Sequence, residues 1–117
     1  MSRIYLTLVA GLAALAVAVA PAFAATPKLV GTDGPGFTIT LTKGGKKVKS
    51  LKAGKYTITV RDKSNIHNFH LRGPGLNKST AVSFVGTKTF TVTLKSGTYK
   101  YVCDPHASSM KGSFKVG

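Results

Sequence analysis

The sequence predicts an all-β domain, a two-sheet Greek-key sandwich, and three observations support this prediction. Apolar residues alternate with threonine, lysine or arginine along several short runs, as in antiparallel strands that cover a core on one side. Glycine-containing turns separate the runs. No segment after residue 24 shows a sustained apolar stripe of helical period. Many short strands in one small domain are typical of a sandwich.

The first 24 residues are expected to be a secretory signal peptide rather than part of the fold. Arg3 supplies a positive charge, residues 4–20 form an almost unbroken apolar run, and residues 22–24, Ala-Phe-Ala, have the small-x-small pattern of a cleavage site. The alternative is an uncleaved membrane anchor, since the run approaches the ~20 residues that span a bilayer. We therefore expect one domain over residues 25–117, located in the periplasm or another extracytoplasmic compartment.

Five runs of alternating residues predict the principal strands. Their apolar members are Phe37, Ile39 and Leu41; Tyr56, Ile58 and Val60; Phe90, Val92 and Leu94; Tyr99, Tyr101 and Cys103; and Phe114 with Val116. The runs are rich in β-branched and aromatic residues, which favour strands. Residues 77–87 are less regular, and the pattern assigns them no firm structure. We expect the apolar members to share one core.

Two similar segments predict the same kind of corner. Residues 51–56, Leu-Lys-Ala-Gly-Lys-Tyr, resemble residues 94–99, Leu-Lys-Ser-Gly-Thr-Tyr. In each segment a glycine bend precedes a tyrosine whose hydroxyl can bond the backbone of the corner. The flanking sequences diverge, so we interpret the similarity as the same structural corner formed twice and not as a tandem repeat.

The charge balance is strongly basic. Seventeen Lys and Arg residues against three Asp and no Glu give a formal net charge of +14, and removal of Arg3 with the signal peptide would leave +13. Export and the lack of an aromatic-plus-basic motif argue against nucleic acid as the partner. An acidic protein or an anionic membrane surface fits better. The alternative is that the lysines form a solvated shell and steer no partner.

The single cysteine lies in a short segment with an imidazole and a thioether, at Cys103, His106 and Met110. Further imidazoles stand upstream at His67 and His70. Thiolate and imidazole together select copper, and a His₂Cys site with a weak axial Met is typical of a blue-copper electron-transfer centre. A lone Cys in an exported domain forms no internal disulfide, so metal ligation is a use for it.

The C-terminal motif resembles the cupredoxins, most of all the plastocyanin, pseudoazurin and amicyanin group. Residues 103–110 read Cys-x-x-His-x-x-x-Met, preceded by Gly-Thr-Tyr-x-Tyr and followed by a Gly-x-Phe-x-Val strand. A His-Asn pair on the ligand-bearing strand also matches, at residues 67–68. The resemblance implies one copper ion per chain, with ligands His67, Cys103, His106 and Met110. It also implies that Asn68 ties its strand to the Cys103 loop by hydrogen bonds.

His70 is the competing imidazole for the upstream ligand. Side chains three residues apart on a strand face opposite ways, so one ion is not expected to bind both His67 and His70. His67 shares its face with Phe69 and precedes Asn68. We therefore favour His67 and expect His70 to be a half-exposed strand residue.

These features predict an electron carrier and not an enzyme. We expect a monomer that exchanges single electrons with an acidic redox protein, such as a cytochrome or an oxidase domain, and that binds no nucleic acid. The resemblance implies that the edge of His106 reaches the surface in an apolar patch with Pro105 and Ala107, which the turn at residues 73–75 could join. The first alternative is storage or delivery of copper, although the sequence lacks the Met- or His-rich tracts typical of metal-transfer proteins.

Two further alternatives remain open at this point. Cysteine with two histidines also suits zinc, and Met110 is the discriminator because a thioether is a poor zinc ligand and a good copper(I) ligand. The last alternative is a purely structural β-sandwich that binds acidic surfaces and whose Cys103 is incidental.

Overall fold

The computed structural model describes residues 10–15 and 25–117. Residues 10–15 are exposed and form no regular element, and the rest of the predicted signal peptide lies outside the described residues. The elements are β1 (Lys28–Asp33), β2 (Ile39–Lys43), β3 (Lys46–Lys47), β4 (Ser50–Leu51), β5 (Gly54–Asp62), β6 (His70–Gly73), β7 (Leu76–Ser79), β8 (Gly86–Leu94), β9 (Gly97–Val102), a 3₁₀ turn (Asp104–His106) and β10 (Lys111–Val116). The described part of the chain contains no apolar helix with the length of a bilayer crossing.

The strands form two five-stranded sheets, which confirms the predicted all-β sandwich. One sheet has the order β3-β2-β1-β5-β8 and the other the order β4-β10-β9-β6-β7. Most neighbours are antiparallel, but β1 pairs with β5 and β10 pairs with β4 in parallel. Strand β1 carries no apolar alternation because two of its three inward positions are Gly31 and Asp33.

One core fills the space between the sheets. Its aromatic residues stack in pairs, with ring centroids 5.6 Å apart for Phe69 and Tyr101 and 5.4 Å apart for Tyr99 and Phe114. The buried aliphatic residues are Leu29, Leu41, Val48, Ile58, Val60, Leu71, Val92, Leu94 and Val116. The inward positions predicted for the strands after residue 54 are thus confirmed, apart from Phe90, which is half-buried.

Phe37 departs from the predicted pattern. The alternation places it on the inward face with Ile39 and Leu41, but β2 begins only at Ile39 and Phe37 is 62 % exposed. The preceding Pro35 and Gly36 belong to a loop, so the period-two pattern extends past the true start of the strand.

Both tyrosine corners form as predicted. The Tyr56 hydroxyl donates a hydrogen bond to the Lys52 carbonyl at 2.7 Å. The Tyr99 hydroxyl accepts a hydrogen bond from the Lys95 N–H at 2.9 Å and donates one to the Pro74 carbonyl at 2.8 Å. Tyr99 therefore connects its own corner to the turn between β6 and β7.

Replacing Tyr99 with phenylalanine is expected to destabilise the metal-free domain by about 1–3 kcal/mol, because two backbone groups lose their partner. Tyr56→Phe removes a single hydrogen bond and should cost about 0.5–1.5 kcal/mol. Urea unfolding of the metal-free protein measures both costs without the stabilisation that a bound metal adds. Equal costs for the two variants would contradict the extra bond at Tyr99.

The topology gives the domain two distinct ends. We call one the site end; it collects the connections 34–38, 63–69, 80–85 and 103–110. We call the opposite one the far end; it collects the connections 44–45, 52–53, 74–75 and 95–96. The predicted metal-binding segments all lie at the site end. The turn at residues 73–75 lies at the far end, so the expectation that it could join the patch around His106 is wrong.

Candidate metal centre

Three predicted ligand side chains converge at the site end. Nδ1 of His67 lies 3.1 Å from Nδ1 of His106, and Sγ of Cys103 lies 3.6 Å from each of these nitrogens. His67 and Cys103 are fully buried, whereas His106 is half-buried. Over residues 10–15 and 25–117, this is the one group of three or more His, Cys, Asp or Glu residues whose ligand atoms all lie within 4.8 Å of one another.

The spacing of the three donor atoms fits a single metal ion. Nitrogen and sulfur ligands at ~2.0–2.3 Å from one ion in a trigonal plane lie roughly 3.5–4 Å apart. The separations of 3.1, 3.6 and 3.6 Å are close to that value. Both imidazoles present the same nitrogen, Nδ1, to the sulfur. One thiol and two imidazoles are a donor set that suits copper or zinc.

A short, hydrogen-bonded loop positions Cys103, His106 and Met110. Cys103 follows β9 and begins the 3₁₀ turn, and the proline in the first turn of that element fixes its backbone. The His106 N–H donates to the Cys103 carbonyl at 3.0 Å, and the Met110 N–H donates to the His106 carbonyl at 2.8 Å. The Cys103 N–H then donates to the Met110 carbonyl at 3.0 Å. The loop thus closes on itself and buries the Met110 side chain.

His67 comes from the connection between β5 and β6 and is enclosed by the loop after β1. A Cβ built on Gly34, whose φ is +72°, would lie 3.2 Å from Cδ2 of His67 and 2.9 Å from Cβ of Ser64. Glycine at this position therefore lets the loop pack against the imidazole. Nε2 of His67 is buried and has no hydrogen-bond partner. Within the described residues, the polar contacts of this ring are those of Nδ1 to the other two members of the cluster.

Asn68 links the His67 segment to the Cys103 loop, as the resemblance implies. Its side-chain oxygen accepts a hydrogen bond from the Asp104 N–H at 2.7 Å. Its side-chain NH₂ donates to the Asp104 carboxylate at 2.8 Å and to the Thr80 carbonyl at 3.2 Å. Asn68 is 2 % exposed, so these bonds are largely shielded from water. They fix the two ligand-bearing segments relative to each other.

His70 lies outside the cluster and holds Asp104 in place. Its Nδ1 is 2.8 Å from a carboxylate oxygen of Asp104, and its Nε2 is 2.6 Å from the side-chain oxygen of Asn77. Burial alone would raise the pKa of Asp104, but hydrogen bonds from His70 and Asn68 and the charges of His70 and Arg72 lower it instead. His70 lies on β6 as expected, but its side chain is only 15 % exposed rather than half-exposed. Nothing in the sequence indicated its bond to Asp104.

Phe37 covers the two imidazoles and was missed by the sequence reasoning. Its ring centroid lies 5.2 Å from that of His67 and 5.0 Å from that of His106, with both contacts edge-on. Its other face is open to solvent. Ile66 and Val85 are also exposed apolar residues of the site-end connections. Exposed apolar side chains therefore lie at the same end of the domain as the metal centre, and one of them, Phe37, contacts its imidazoles.

Comparisons with known proteins agree with this geometry. A family model described as copper-binding proteins of the plastocyanin/azurin family matches residues 40–117, two thirds of the chain. The chain belongs to the plastocyanin/azurin family of copper-binding proteins. The family match confirms the resemblance to the cupredoxins, and the metal of this copper-binding protein is copper rather than zinc.

Solved structures of cupredoxins resemble this family member along most of its length. A structure of rusticyanin from Thiobacillus ferrooxidans is 27% identical, covers 79% of this chain and 77% of its own, and has a TM-score of 0.55. Another structure of the copper protein rusticyanin has a TM-score of 0.60 at 24% identity, covering 79% of this chain and 78% of its own. A copper(I) amicyanin variant is 18% identical with a TM-score of 0.51, covering 78% of this chain and 83% of its own. A comparison with curated protein sequences finds no match.

Family membership and the donor cluster together define the type of protein. The copper-binding family match and the His-Cys-His cluster beside the Met110 loop identify a type 1, or blue, copper electron-transfer protein. Proteins of this family are generally electron carriers that work with partner proteins.

Proposed function

We propose that this cupredoxin binds one copper ion through His67, Cys103, His106 and Met110 and carries single electrons as a monomer with no enzymatic activity of its own. The observation that supports this most is the convergence of three donor atoms at 3.1–3.6 Å on one largely buried point. Met110 completes the set because its side chain is buried in the loop that carries Cys103 and His106. A buried thioether is a good ligand for copper(I) and a poor ligand for zinc.

The contribution of the protein is a rigid, dry set of ligands. Bound copper supplies the one-electron chemistry, and the thiolate form of Cys103 is the ligand for it. The Asn68–Asp104 bonds and the closed Cys103 loop hold the donors in one arrangement. Phe37 limits access of water to the imidazoles. Little has to move when the oxidation state changes, so exchange is fast.

The electron leaves through His106. His67 and Cys103 are fully buried, whereas His106 is half-buried between the exposed residues Pro105 and Ala107. Small and apolar neighbours let a partner approach the imidazole closely. We assign the redox partner to this face and propose that it is an acidic protein, since exposed lysines lie at the same end of the domain, namely Lys63, Lys78, Lys88 and Lys111.

Ala107→Lys is expected to slow electron self-exchange between the copper(I) and copper(II) forms by about tenfold or more, because a long charged side chain obstructs the approach to His106. The visible spectrum should not change, since Ala107 is exposed. Line broadening in NMR spectra of mixed oxidation states measures the rate. Ala53→Lys, which adds the same charge to an exposed alanine at the far end, is the matched control and should exchange at nearly the parent rate. Equal slowing in both variants would point to net charge and away from this face.

Met110→Leu is expected to keep the blue site and raise its reduction potential, because a weak thioether contact is replaced by a side chain of similar volume that donates nothing. Cyclic voltammetry and the visible spectrum measure the two effects. Complete loss of copper from this variant would contradict a weak axial role for Met110.

The decisive test of the proposal adds copper(II) to the purified protein and records visible and paramagnetic resonance spectra. Intense blue absorption with narrow copper hyperfine splitting is expected of a thiolate ligand. Repeated reduction and oxidation in the presence of a copper(I) chelator then separates electron transfer from copper delivery. A carrier keeps its copper through the cycles, whereas transfer of copper to the chelator on each reduction would favour the delivery role.

We also propose that the chain is exported and cleaved after Ala24. The apolar run over residues 4–20 and the Ala-Phe-Ala site support this, and β1 begins soon after, at Lys28. Mass spectrometry of the protein recovered from the extracytoplasmic fraction should give a chain that starts at Ala25. A membrane-bound chain of full mass would favour the retained anchor instead.

A further inference from the structure

An open groove lined by lysines lies at the far end of the domain, away from the metal centre. It encloses about 1130 Å³ between residues 43–56 and the end of β10. Val48, Tyr56 and Val116 in its lining are buried apolar residues. Seven exposed lysines line it, namely Lys43, Lys46, Lys47, Lys49, Lys52, Lys55 and Lys115. Half of the 14 lysines in the sequence therefore surround one groove.

No acidic side chain of the sequence offsets these charges. Of the three acids, Asp33 and Asp62 are buried, and Asp104 is bound to His70 at the site end. A carboxylate at Gly117, which also lines the groove, would offset one charge and leave six. Like charges at this density repel one another, so an anionic surface that approaches the groove is attracted and relieves the repulsion.

The chain enters the domain at this same end. Pro27 lines the groove, and β1 begins at the next residue, Lys28. In the sequence, the apolar run of residues 4–20 is separated from Pro27 by six residues. A retained run would hold the groove against the bilayer. Cleavage after Ala24 would instead place a new α-amino group two residues from Pro27 and add to the positive charge.

We propose that the lysine groove is a docking surface for anionic lipid headgroups, which holds the domain on a membrane with its metal centre turned away. A cluster of roughly four to eight basic residues is enough to bind an anionic leaflet. The groove contains lysine and no arginine. Compact lysine charges suit a fluid layer of headgroups, whereas the planar fork of arginine is favoured where a fixed carboxylate of a protein is recognised.

This orientation is compatible with the proposed electron transfer and goes beyond it. The groove and the His106 face lie at opposite ends of the sandwich. A membrane on the groove leaves Phe37, Pro105 and Ala107 open to a redox partner. The protein would then meet membrane-bound partners by diffusion along the membrane surface, while its His106 face stays accessible.

The test measures binding of the copper-loaded protein, residues 25–117, to sedimented lipid vesicles. This segment contains every strand and core residue that the structure describes, so it is expected to fold on its own. Binding is expected to vesicles of equal parts phosphatidylcholine and phosphatidylglycerol, to weaken as salt is added, and to be absent from vesicles of phosphatidylcholine alone. Failure to bind the anionic vesicles overturns the proposal.

Two charge-matched triple variants test whether the groove is the surface involved. Lys46→Glu, Lys47→Glu and Lys49→Glu together should weaken binding by at least about tenfold. Lys63→Glu, Lys78→Glu and Lys88→Glu change the net charge equally at exposed site-end positions and should weaken it far less. Equal losses would show attraction by net charge alone and overturn the docking surface.

Polyglutamate, at a carboxylate concentration equal to that of the lipid phosphate, tests the acidic-protein alternative. The vesicles are expected to retain the protein in its presence. Transfer of the protein from the vesicles to polyglutamate would make an acidic polypeptide the better occupant of the groove and overturn the membrane assignment. Visible spectra distinguish this proposal from the copper role. A blue protein that does not bind the anionic vesicles would contradict only the docking surface. A colourless protein that binds them would contradict only the copper role.

Discussion

Replacing His67 with alanine is expected to abolish the intense copper–thiolate absorption. His67 is fully buried, and its Nδ1 lies 3.6 Å from Sγ of Cys103 and 3.1 Å from Nδ1 of His106. Loss of an outer hydrogen-bond partner costs about 10–100-fold in metal affinity. Loss of a ligand should cost more, because water or a displaced side chain replaces a fixed donor. Titration with copper(II), followed by visible absorption, measures both the spectrum and the affinity.

His70→Ala is the matched control, since it removes the same side chain from a position three residues away. The variant loses the hydrogen bonds to Asp104 and Asn77 but leaves the three donor atoms of the cluster in place. It should stay blue and lose at most about 10–100-fold in affinity, as for an outer partner. A blue His67→Ala protein together with a colourless His70→Ala protein would contradict the choice of His67.

The C-terminal half of the centre could be predicted because its chemistry is local in sequence. Cys103, His106 and Met110 lie within eight residues, so one loop must carry all three wherever it folds. The upstream ligand could not be predicted from spacing alone, since the contact between residues 67 and 103 depends on the order of the strands in the sheet. The His-Asn pair of the family motif supplied that information, and the Asn68–Asp104 bonds show its physical basis.

Phe37 and β1 show where period-two patterns fail. Alternation describes which side chains share a face but not where a strand begins, so Phe37 was placed in the core although it lies in the loop before β2. Strand β1 was not predicted, because two of its inward positions are Gly31 and Asp33 and the strand therefore lacks the apolar alternation that the pattern requires. Its parallel pairing with β5 joins residues far apart in the sequence and has no local signal.

That pairing buries two carboxyl groups side by side. Asp33 and Asp62 occupy paired positions of β1 and β5, and they are 0 % and 2 % exposed. The Ser64 N–H donates to one oxygen of Asp62 at 3.1 Å, but no N–H group among the described residues reaches its other oxygen or either oxygen of Asp33. The pKa of Asp33 is raised to about 7, first by burial and then by the neighbouring Asp62, which repels a second negative charge and can accept a hydrogen bond from the protonated Asp33 carboxyl. A proton held between the two groups explains how both can be buried.

Replacing Asp33 with asparagine is expected to stabilise the metal-free domain at about pH 8 and to change it little at about pH 4. The folded carboxyl, with a pKa of about 7, binds its proton more tightly than the unfolded one at 3.8. Its contribution to stability is therefore full below about pH 4, falls as pH rises, and is lost above about pH 7. The shift corresponds to something on the order of 4 kcal/mol. The asparagine NH₂ can donate to Asp62 at every pH and so replaces the proton.

Urea unfolding of the metal-free parent and variant across this pH range measures the effect, because the absence of copper removes any change in metal affinity. The parent should lose stability as pH rises towards 7, while the Asp33→Asn curve should be nearly flat over the same range. Asp62→Asn is the companion variant: its side-chain oxygen still accepts the Ser64 N–H, but Asp33 stays buried, so its curve should keep a pH slope. Parallel curves for the parent and Asp33→Asn would mean that Asp33 does not carry the proton, and the pair would then need a buried cation or a water to satisfy its oxygens.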